Sequence, residues 1–350
     1  MNDIATDGLP GVTPTRKRVD EFLEYTDLDP DHSLGAIPPK YGQATVEKLA
    51  TNAVLAGCQP AYFPVVLAAI EGMLADEEAL HNILTTTFPG WPVVMMNGPL
   101  VEELQVNYGR NALGQGFQAN ATIGRALTLV SMNVGGAIPG DTDEATYGGP
   151  HKYGLCWAEN EKRNPWEPLH VERGFDESTS TVTVFGAEVG PRQINDHIST
   201  DSASILSTCA KTMATVGTNM MYLSRLGEPH LALCPEHADM LAEDGWRKID
   251  VKRYIYDQAR VSKAEWEERG LHRPDPGEIA ASWPKHFNVG HPDGRIGMCP
   301  TPEDVIVTVT GGEGRHSFFF ADFSQWQSTT VPITLADGTP VTSVEEFHSA

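Results

Sequence analysis

The apolar run PVVMM at residues 92–96, followed by the turn residues Asn97, Gly98 and Pro99, indicates the fold most directly. A short apolar run that ends in such a turn is typical of a buried strand leading into a helix. Further strands are predicted at residues 181–185 (TVTVF), 230–234 (HLALC) and 305–310 (VIVTVT). Each of these runs is followed by a polar or glycine-bearing segment, as expected of strands that end at one edge of a sheet.

Helices are predicted between these strands, because apolar residues recur there at helical spacing. The predicted helices cover residues 45–56, 62–74, 120–134 and 202–221, and Asn120 is expected to cap the third. Alternation of strands and helices predicts an α/β fold with a mostly parallel sheet flanked by helices, in one or two lobes.

The chain is expected to fall into three parts. Residues 1–40 form an N-terminal arm, residues 41–335 an α/β body and residues 336–350 a C-terminal tail. A boundary near residue 175 would separate two lobes. Residues 262–302 are polar and without periodicity, which predicts an insertion that serves as a lid or an interface loop.

Composition excludes some kinds of partner. The chain has 25 Lys and Arg against 47 Asp and Glu, a formal net charge of −22. Binding to nucleic acid or to an anionic membrane surface needs clustered cations, which are missing here. The most apolar stretch, residues 61–75, is short and is interrupted by Pro64, Glu71 and Gly72, so no membrane span is predicted.

Cysteine usage indicates a compartment. The five cysteines form no CxxC motif and are too sparse for a disulfide framework. The first residues contain no hydrophobic segment of the secretory kind. We therefore expect a cytoplasmic protein with reduced thiols.

Residues 107–125 (NYGRNALGQGFQANATIGR) form the first candidate binding segment. Its glycines lead into a predicted helix, whose N-terminus can attract an anion. Arg110 and Arg125 could donate paired hydrogen bonds to a carboxylate or phosphate, and Asn111 lies between them in sequence. The alternative is a buried polar turn, since glycine and asparagine are ordinary turn residues.

Residues 151–174 (HKYGLCWAENEKRNPWEPLHVERG) are the second candidate. Glu161 and His170 could exchange protons, and Cys156 is a candidate reactive thiol. Lys152 and Arg173 could hold an anionic substrate. The same histidines and carboxylates could instead bind a divalent metal, although the spacing matches no standard motif. The alternative is a solvated loop with ion pairs.

Loops after predicted strands give further candidates. Ligands bind beyond the carboxyl ends of parallel strands, which favours Asn195, Asp196 and His197 after the strand at 181–185. Asn97, in the turn after residues 92–96, is a further candidate for substrate binding. The loop GGEGRHS at residues 311–317 resembles a phosphate-binding nest without the GK[ST] ending of a P-loop, and it adds His316 and Ser317. Turn or helix caps are the alternative functions of these polar residues.

Cys58 precedes Gln59 and Pro60, between two predicted helices. We expect its thiol to lie near the N-terminus of the second helix, whose dipole would lower its pKa and make it nucleophilic. A buried thiol without reactivity is the alternative.

Several long segments together resemble one bacterial family. They are NAVLAGCQPAYFPVVLAAIEGML (52–74), NGPLVEEL (97–104), GRNALGQGFQANATIGRAL (109–127), NVGGAIPGD (133–141), CWAENE (156–161), PWEPLHVERGF (165–175) and GGEGRHS (311–317). The chain is similar to the partner or fused region of UGSC-type (seleno)proteins, although it carries no UGSC-like cysteine motif of its own. The resemblance implies thiol- or selenol-linked chemistry on a small molecule and a thiol or selenol protein as partner.

These observations predict an enzyme of the lyase, oxidoreductase or hydrolase class that acts on a small, polar, anionic metabolite by thiol-linked or acid/base chemistry. One alternative is a metal-dependent lyase or hydrolase with His and carboxylate ligands. Another is a non-catalytic substrate-binding subunit of a thiol or selenol enzyme. A homo-oligomer is expected, since the N-terminal arm and the insertion are natural interface elements.

Overall fold

The computed structural model describes residues 6–188, 191–215, 217–218, 220–221, 227–262, 264–265, 295–323 and 326–348. The chain divides into two compact units. The first comprises Met1–Glu161, Glu167–Gly190 and Ser328–Ala350, and the second comprises Lys162–Trp166 and Pro191–Gln327. The chain therefore passes from one unit to the other after Glu161, Trp166, Gly190 and Gln327.

Ten strands occur in the described residues. They are β1 (Ser33–Ile37), β2 (Gly42–Thr45), β3 (Trp91–Asn97), β4 (Cys156–Ala158), β5 (Thr181–Ala187), β6 (Arg192–Asn195), β7 (His230–Leu233), β8 (Ile306–Val309), β9 (His316–Phe320) and β10 (Thr329–Pro332). The first unit has a sheet of order β10-β5-β3-β4 and a separate antiparallel pair, β1 and β2. The second unit has a sheet of order β6-β9-β7-β8.

Both four-stranded sheets are mixed. In the first unit β3 pairs in parallel with β4 but antiparallel with β5, and β5 is antiparallel to β10. In the second unit β7 pairs in parallel with β8 but antiparallel with β9, which is antiparallel to β6. The predicted α/β class is confirmed. The expectation of a mostly parallel sheet is wrong, because β5 is antiparallel to both of its neighbours, β3 and β10. Strand β9 is likewise antiparallel to both β6 and β7.

Helices surround each sheet. In the first unit they are α1 (Arg16–Leu23), α2 (Val46–Ala56), α3 (Phe63–Leu74), α4 (Glu77–Thr85), α5 (Leu100–Glu103), α6 (Gln118–Asn133) and α7 (Leu169–Glu172). In the second they are α8 (Ser202–Met213), α9 (Pro235–Glu243) and α10 (Lys248–Gln258). No helix of the described part of the chain is long and apolar enough to cross a membrane.

The core of the first unit forms where apolar helices meet β3 and β5, every residue of which is buried. Helix α3 packs against β5 and β10, and α6 packs against α2 and β4. Two glycines allow close approach. A Cβ at Gly72 of α3 would lie 2.7 Å from Val184 Cγ2, and one at Gly124 of α6 would lie 2.6 Å from the Leu155 nitrogen.

Two local predictions need correction. Asn120 lies inside α6, where its side chain bonds the backbone of Asn107 and Ala112 instead of capping the helix. The residue at the cap is Phe117. The predicted helix over residues 202–221 ends at Met213.

The predicted arm and tail both have contacts in the first unit. The backbone nitrogen of Val12 donates to Leu55 O, and Asp7 pairs with Arg125. In the tail, Glu103 accepts hydrogen bonds from Ser343 Oγ and from the Val344 nitrogen. Most of the predicted insertion at 262–302 lies outside the described residues.

Candidate functional site

A group of polar side chains meets at one edge of the sheet in the first unit. Strands β3 and β4 are parallel and in register at Met96 and Ala158, so both end at this edge. Strand β5 runs the opposite way and begins there, with Thr181 opposite Asn97. Asn97, Glu159, Glu161, His170 and Thr181 form what we term the carboxyl-edge cluster. Ligands of α/β proteins characteristically bind beyond the carboxyl ends of parallel strands.

Asn97 joins the two carboxylates of the cluster. Its Nδ2 donates to Glu159 Oε2 and to Glu161 Oε1, each at 2.8 Å. The Gly98 nitrogen also donates to Glu161 Oε1 at 2.8 Å, and the Leu169 nitrogen donates to Glu159 Oε2 at 2.9 Å. Gly98 has a φ of +89°, and a Cβ there would lie 2.6 Å from Thr179 O. The turn after β3 thus directs a backbone N–H at the Glu161 carboxylate.

His170 lies beside this carboxylate and is fully buried. Its Nδ1 is 3.7 Å from Glu161 Oε1, longer than an ordinary hydrogen bond. Burial lowers the pKa of His170 from its usual value, while the charge of Glu161 and the backbone of Glu177 partly oppose that effect. The imidazole is therefore neutral at neutral pH.

The cluster contains buried polar atoms that lack hydrogen bonds. Among the described residues, no partner in hydrogen-bonding geometry exists for Asn97 Oδ1, Thr181 Oγ1 or either ring nitrogen of His170. Glu161 Oε2 also has none there, and the Glu161 side chain is 30% exposed. Such groups are rare in native interiors and need an explanation. Here they give the cluster the capacity to bind a polar ligand.

Two of the three predicted arginines, Arg125 and Arg173, have partners outside this cluster. Arg125 makes a buried two-point ion pair, its Nε 2.7 Å from Asp7 Oδ2 and its Nη2 2.8 Å from Asp7 Oδ1. Arg173 donates to the hydroxyls of Ser328 and Thr330. Arg110 is exposed. These contacts give no support to an anion held jointly by the arginines.

The glycine-rich segment at 107–125 is held largely by its own polar groups. Asn107 Nδ2 donates to Arg110 O, and Asn111 Nδ2 donates to Gln115 O at 2.8 Å. Asn111 has a φ of 62°, in the left-handed region that asparagine tolerates. The observed contacts match the alternative of a polar turn.

Lys152 and His151 lie near the start of β4. Lys152 Nζ forms an ion pair with Asp143 at 2.7 Å and lies 4.5 Å from the centre of the Trp91 ring. His151 is buried, with Nε2 2.7 Å from Pro89 O. Lys152 is thus separate from Glu161 and His170, which follow the same strand at its other end.

The expectation of a low-pKa thiol at Cys58 is wrong. Its Sγ donates to Thr122 O at 3.3 Å, and burial raises the pKa of Cys58 to about 12. Desolvation of the thiolate is the main cause, and α3 begins only at Phe63, five residues after Cys58. Burial in β4 also raises the pKa of Cys156. Neither thiol has the environment of an activated nucleophile.

Ser317 of the second unit has structural contacts. Its Oγ accepts from the Cys234 nitrogen at 3.0 Å and lies 2.8 Å from His237 Nδ1. His237 Nε2 lies 3.1 Å from Asp196 O. Ser317 and His237 are both buried. The hydroxyl therefore links β9, β7 and α9.

The remaining candidates of the second unit lie at its surface. His316 Nδ1 is 2.8 Å from Gln193 Nε2, and the His316 ring meets the ring of His197 at 4.6 Å between centres. Asn195 is exposed at the end of β6.

The loop at 311–317 does not present an open anion cradle. The backbone nitrogens of Gly314 and Arg315 both donate to Glu236 Oε2, the latter at 2.7 Å. These bonds lower the pKa of Glu236, chiefly through the N–H of Gly314. The predicted phosphate nest is thus filled by a carboxylate of the same chain, a competitor that the local sequence does not reveal.

Within the described part of the chain, no group of three or more His, Cys, Asp or Glu side chains is arranged to hold a metal ion. The predicted metal alternative therefore gains no support from a ligand cluster. Neither a protein-family model nor a curated protein matches the chain.

Sequence reasoning missed Glu159 and Thr181 as site residues. Glu159 directly follows β4, so the strand-end rule could have found it. Thr181 is found only through the antiparallel pairing of β5 with β3. Asp143, the partner of Lys152, carries no distinguishing pattern in the sequence.

Proposed function

We propose that the chain is an enzyme that acts on a small polar molecule by acid/base chemistry at the carboxyl-edge cluster. The observation that carries this proposal is the meeting of Asn97, Glu161 and His170. Asn97 contacts Glu161 at 2.8 Å, and Glu161 lies 3.7 Å from His170. Asn97 lies 64 residues before Glu161 in the sequence.

Glu161 is the proposed proton acceptor. Two N–H donors, from Asn97 and Gly98, fix its Oε1. Its Oε2 accepts no hydrogen bond from the described residues, and the side chain is partly exposed. A carboxylate fixed through one oxygen can take a proton from a bound substrate through the other.

His170 and Asn97 are proposed to position this carboxylate. The neutral His170 ring packs beside it without adding a positive charge, so Glu161 stays free to act as a base. Asn97 donates to both Glu161 and Glu159 and so holds the two carboxyl groups together. The buried Oδ1 of Asn97 and Oγ1 of Thr181 could meet polar groups of a substrate.

The other predicted mechanisms gain less support. The raised pKa values of Cys58 and Cys156 disfavour a thiolate nucleophile at neutral pH. Arg125 and Arg173 are engaged at separate places, so the anionic character of the substrate stays a prediction from sequence. A non-catalytic binding subunit is the alternative that the experiment must separate.

The test is proton exchange in deuterated water. Wild-type protein is incubated with a panel of small hydroxy, keto and amino acids, and deuterium incorporation or conversion is followed by mass spectrometry. Glu161→Gln keeps the shape of the side chain but removes the base. Glu167→Gln is the matched control, since Glu167 is exposed and nearby in sequence.

We expect a panel compound to exchange with wild-type protein and with Glu167→Gln. The rate should fall about a hundredfold or more with Glu161→Gln, the size of a typical general-base contribution. Equal rates in the Glu161→Gln variant would refute the role of Glu161. Binding of panel compounds without exchange or conversion would favour the binding-subunit alternative.

A further inference from the structure

A cavity of about 840 Å³ lies in the first unit. Its walls are mostly apolar side chains and glycines, among them Trp91, Met132, Ile138, Tyr147, Pro150 and Tyr153. The volume falls in the usual range for small-molecule sites, which combine apolar walls with a few polar groups. Trp91 is the first residue of β3, whereas Asn97 of the carboxyl-edge cluster is the last. The cavity is therefore a second site, at the opposite end of that strand.

Lys152 and Asp143 are the charged pair in the wall of this cavity. Lys152 Nζ lies 2.7 Å from both carboxylate oxygens of Asp143. The side chains are only 13% and 5% exposed, respectively. Burial lowers the pKa of Lys152, although the hydrogen bonds and charge of Asp143 oppose that effect. A largely buried lysine at the wall of an apolar cavity is the usual environment of an amine nucleophile.

Two tyrosines of the cavity wall are unusually exposed. Tyr147 is 73% exposed and Tyr153 is 53% exposed. Large apolar groups left in solvent next to a cavity are typical of a binding surface. Their rings could contact the apolar body of a ligand whose polar end reaches Lys152.

We propose that Lys152 forms an imine with an aldehyde or ketone that binds in this cavity, and that Asp143 carries the protons. Lys152 first gives a proton to Asp143, and the free amine attacks the carbonyl carbon. The carbonyl oxygen takes the proton from Asp143. Asp143 then accepts a proton from nitrogen and returns it to the hydroxyl group, which leaves as water.

The overall step replaces a C=O double bond with a C=N double bond and releases one water molecule. The product is a protonated imine beside an ionised Asp143, so total charge is unchanged and no electrons are gained or lost. Asp143 Oδ1 and Oδ2 are both within hydrogen-bonding distance of Nζ, as this proton shuttle requires.

Other lysines of the chain provide controls. Lys248 and Lys252 are also buried, but they belong to the second unit and do not line this cavity. Lys40 has a side chain that is 57% exposed and pairs with Asp141 at the surface. If Lys152 reacts and these three lysines do not, the reaction depends on the cavity rather than on how buried or exposed a lysine is.

Benzaldehyde and acetophenone serve as probes, with sodium cyanoborohydride to reduce any imine to a stable amine. Peptide mass spectrometry then locates the added group. We expect labelling of Lys152 to saturate with probe concentration and to exceed that of Lys40 by about tenfold or more, because a bound carbonyl lies beside the amine at high effective concentration. Asp143→Asn should slow labelling at Lys152.

Lys152→Arg keeps a cation beside Asp143 and should remove the saturable label. Tyr147→Ala leaves the amine intact and should raise the probe concentration needed for half-saturation. Labelling of Lys152 that increases linearly with probe concentration, or that does not exceed labelling of Lys40, would overturn the proposal. This measurement on wild-type protein holds even if a variant fails to fold.

Discussion

Replacement of the buried His151 by glutamine should remove a large part of the acid sensitivity of the first unit. Burial, together with the positive charge of Lys152, lowers the pKa of His151 from 6.5 to about 4. The unfolded chain therefore binds a proton at this residue between those two pH values, and the folded chain does not. The free energy of unfolding must then fall as the pH falls through this range.

The size of the effect follows from the two pKa values. The difference between 6.5 and about 4, at 1.36 kcal/mol for each unit, corresponds to about 3 kcal/mol. The stabilisation is complete above pH 6.5 and is lost once the pH is below the folded-state value. His151→Gln cannot take up this proton, so its stability should depend less on pH by about that amount.

The assay is urea unfolding at a series of pH values between about 7.5 and about 4.5, with hydrogen exchange in peptides of β3 and β5 as the reporter of the first unit. The difference in the free energy of unfolding between wild type and variant is compared across pH, so that a loss of packing energy that does not depend on pH cancels. His32→Gln, at an exposed histidine of the same unit, is the matched control. A wild-type decline with acid that matches that of His151→Gln would refute the reasoning.

Two further predictions concern packing. Cys58 in the native protein should react with a disulfide reagent about a hundredfold more slowly than in the urea-unfolded chain, because desolvation raises the pKa of its thiol; equal rates would contradict that raised pKa. Gly124→Ala should lower the free energy of unfolding by about 1–3 kcal/mol. Its new Cβ would lie 2.6 Å from the Leu155 nitrogen and 2.9 Å from the Gly154 carbonyl carbon. Both are backbone atoms, which cannot move aside by a side-chain rotation. An unchanged urea midpoint would contradict this contact.

The apolar helices and four buried strands, β3, β5, β7 and β8, were predictable because their signals are local, whereas the other six described strands were not predicted. The apolar spacing from residue 45 to 56 and from 62 to 74 corresponds to α2 and α3 within one residue at each end. Asn120 was not predictable in the same way. Its side chain donates hydrogen bonds to the backbone of Asn107 and Ala112. The polar atoms that make this tertiary contact are the same atoms that would cap a helix, so the sequence does not distinguish the two.

Sheet direction was beyond the sequence because it depends on pairing. Strand β5 could in principle join β3 in either direction, and the apolar run TVTVF is the same in both cases. The antiparallel choice has a consequence for the site. It places Thr181, the first residue of β5, at the edge where β3 ends. A parallel β5 would have placed that residue at the opposite edge, with Trp91.

Part of the candidate site nevertheless lies beyond the carboxyl ends of parallel strands, because β3 and β4 are parallel and end at the same edge of the sheet. Asn97 is the last residue of β3 and Glu161 follows β4, and their side chains meet at 2.8 Å. The same reasoning failed in the second unit, where the loop after β8 is occupied by Glu236. A strand end therefore predicts where polar groups meet. Whether they remain open to a ligand depends on competing side chains of the same chain, and in the second unit Glu236 already accepts the backbone N–H groups of Gly314 and Arg315.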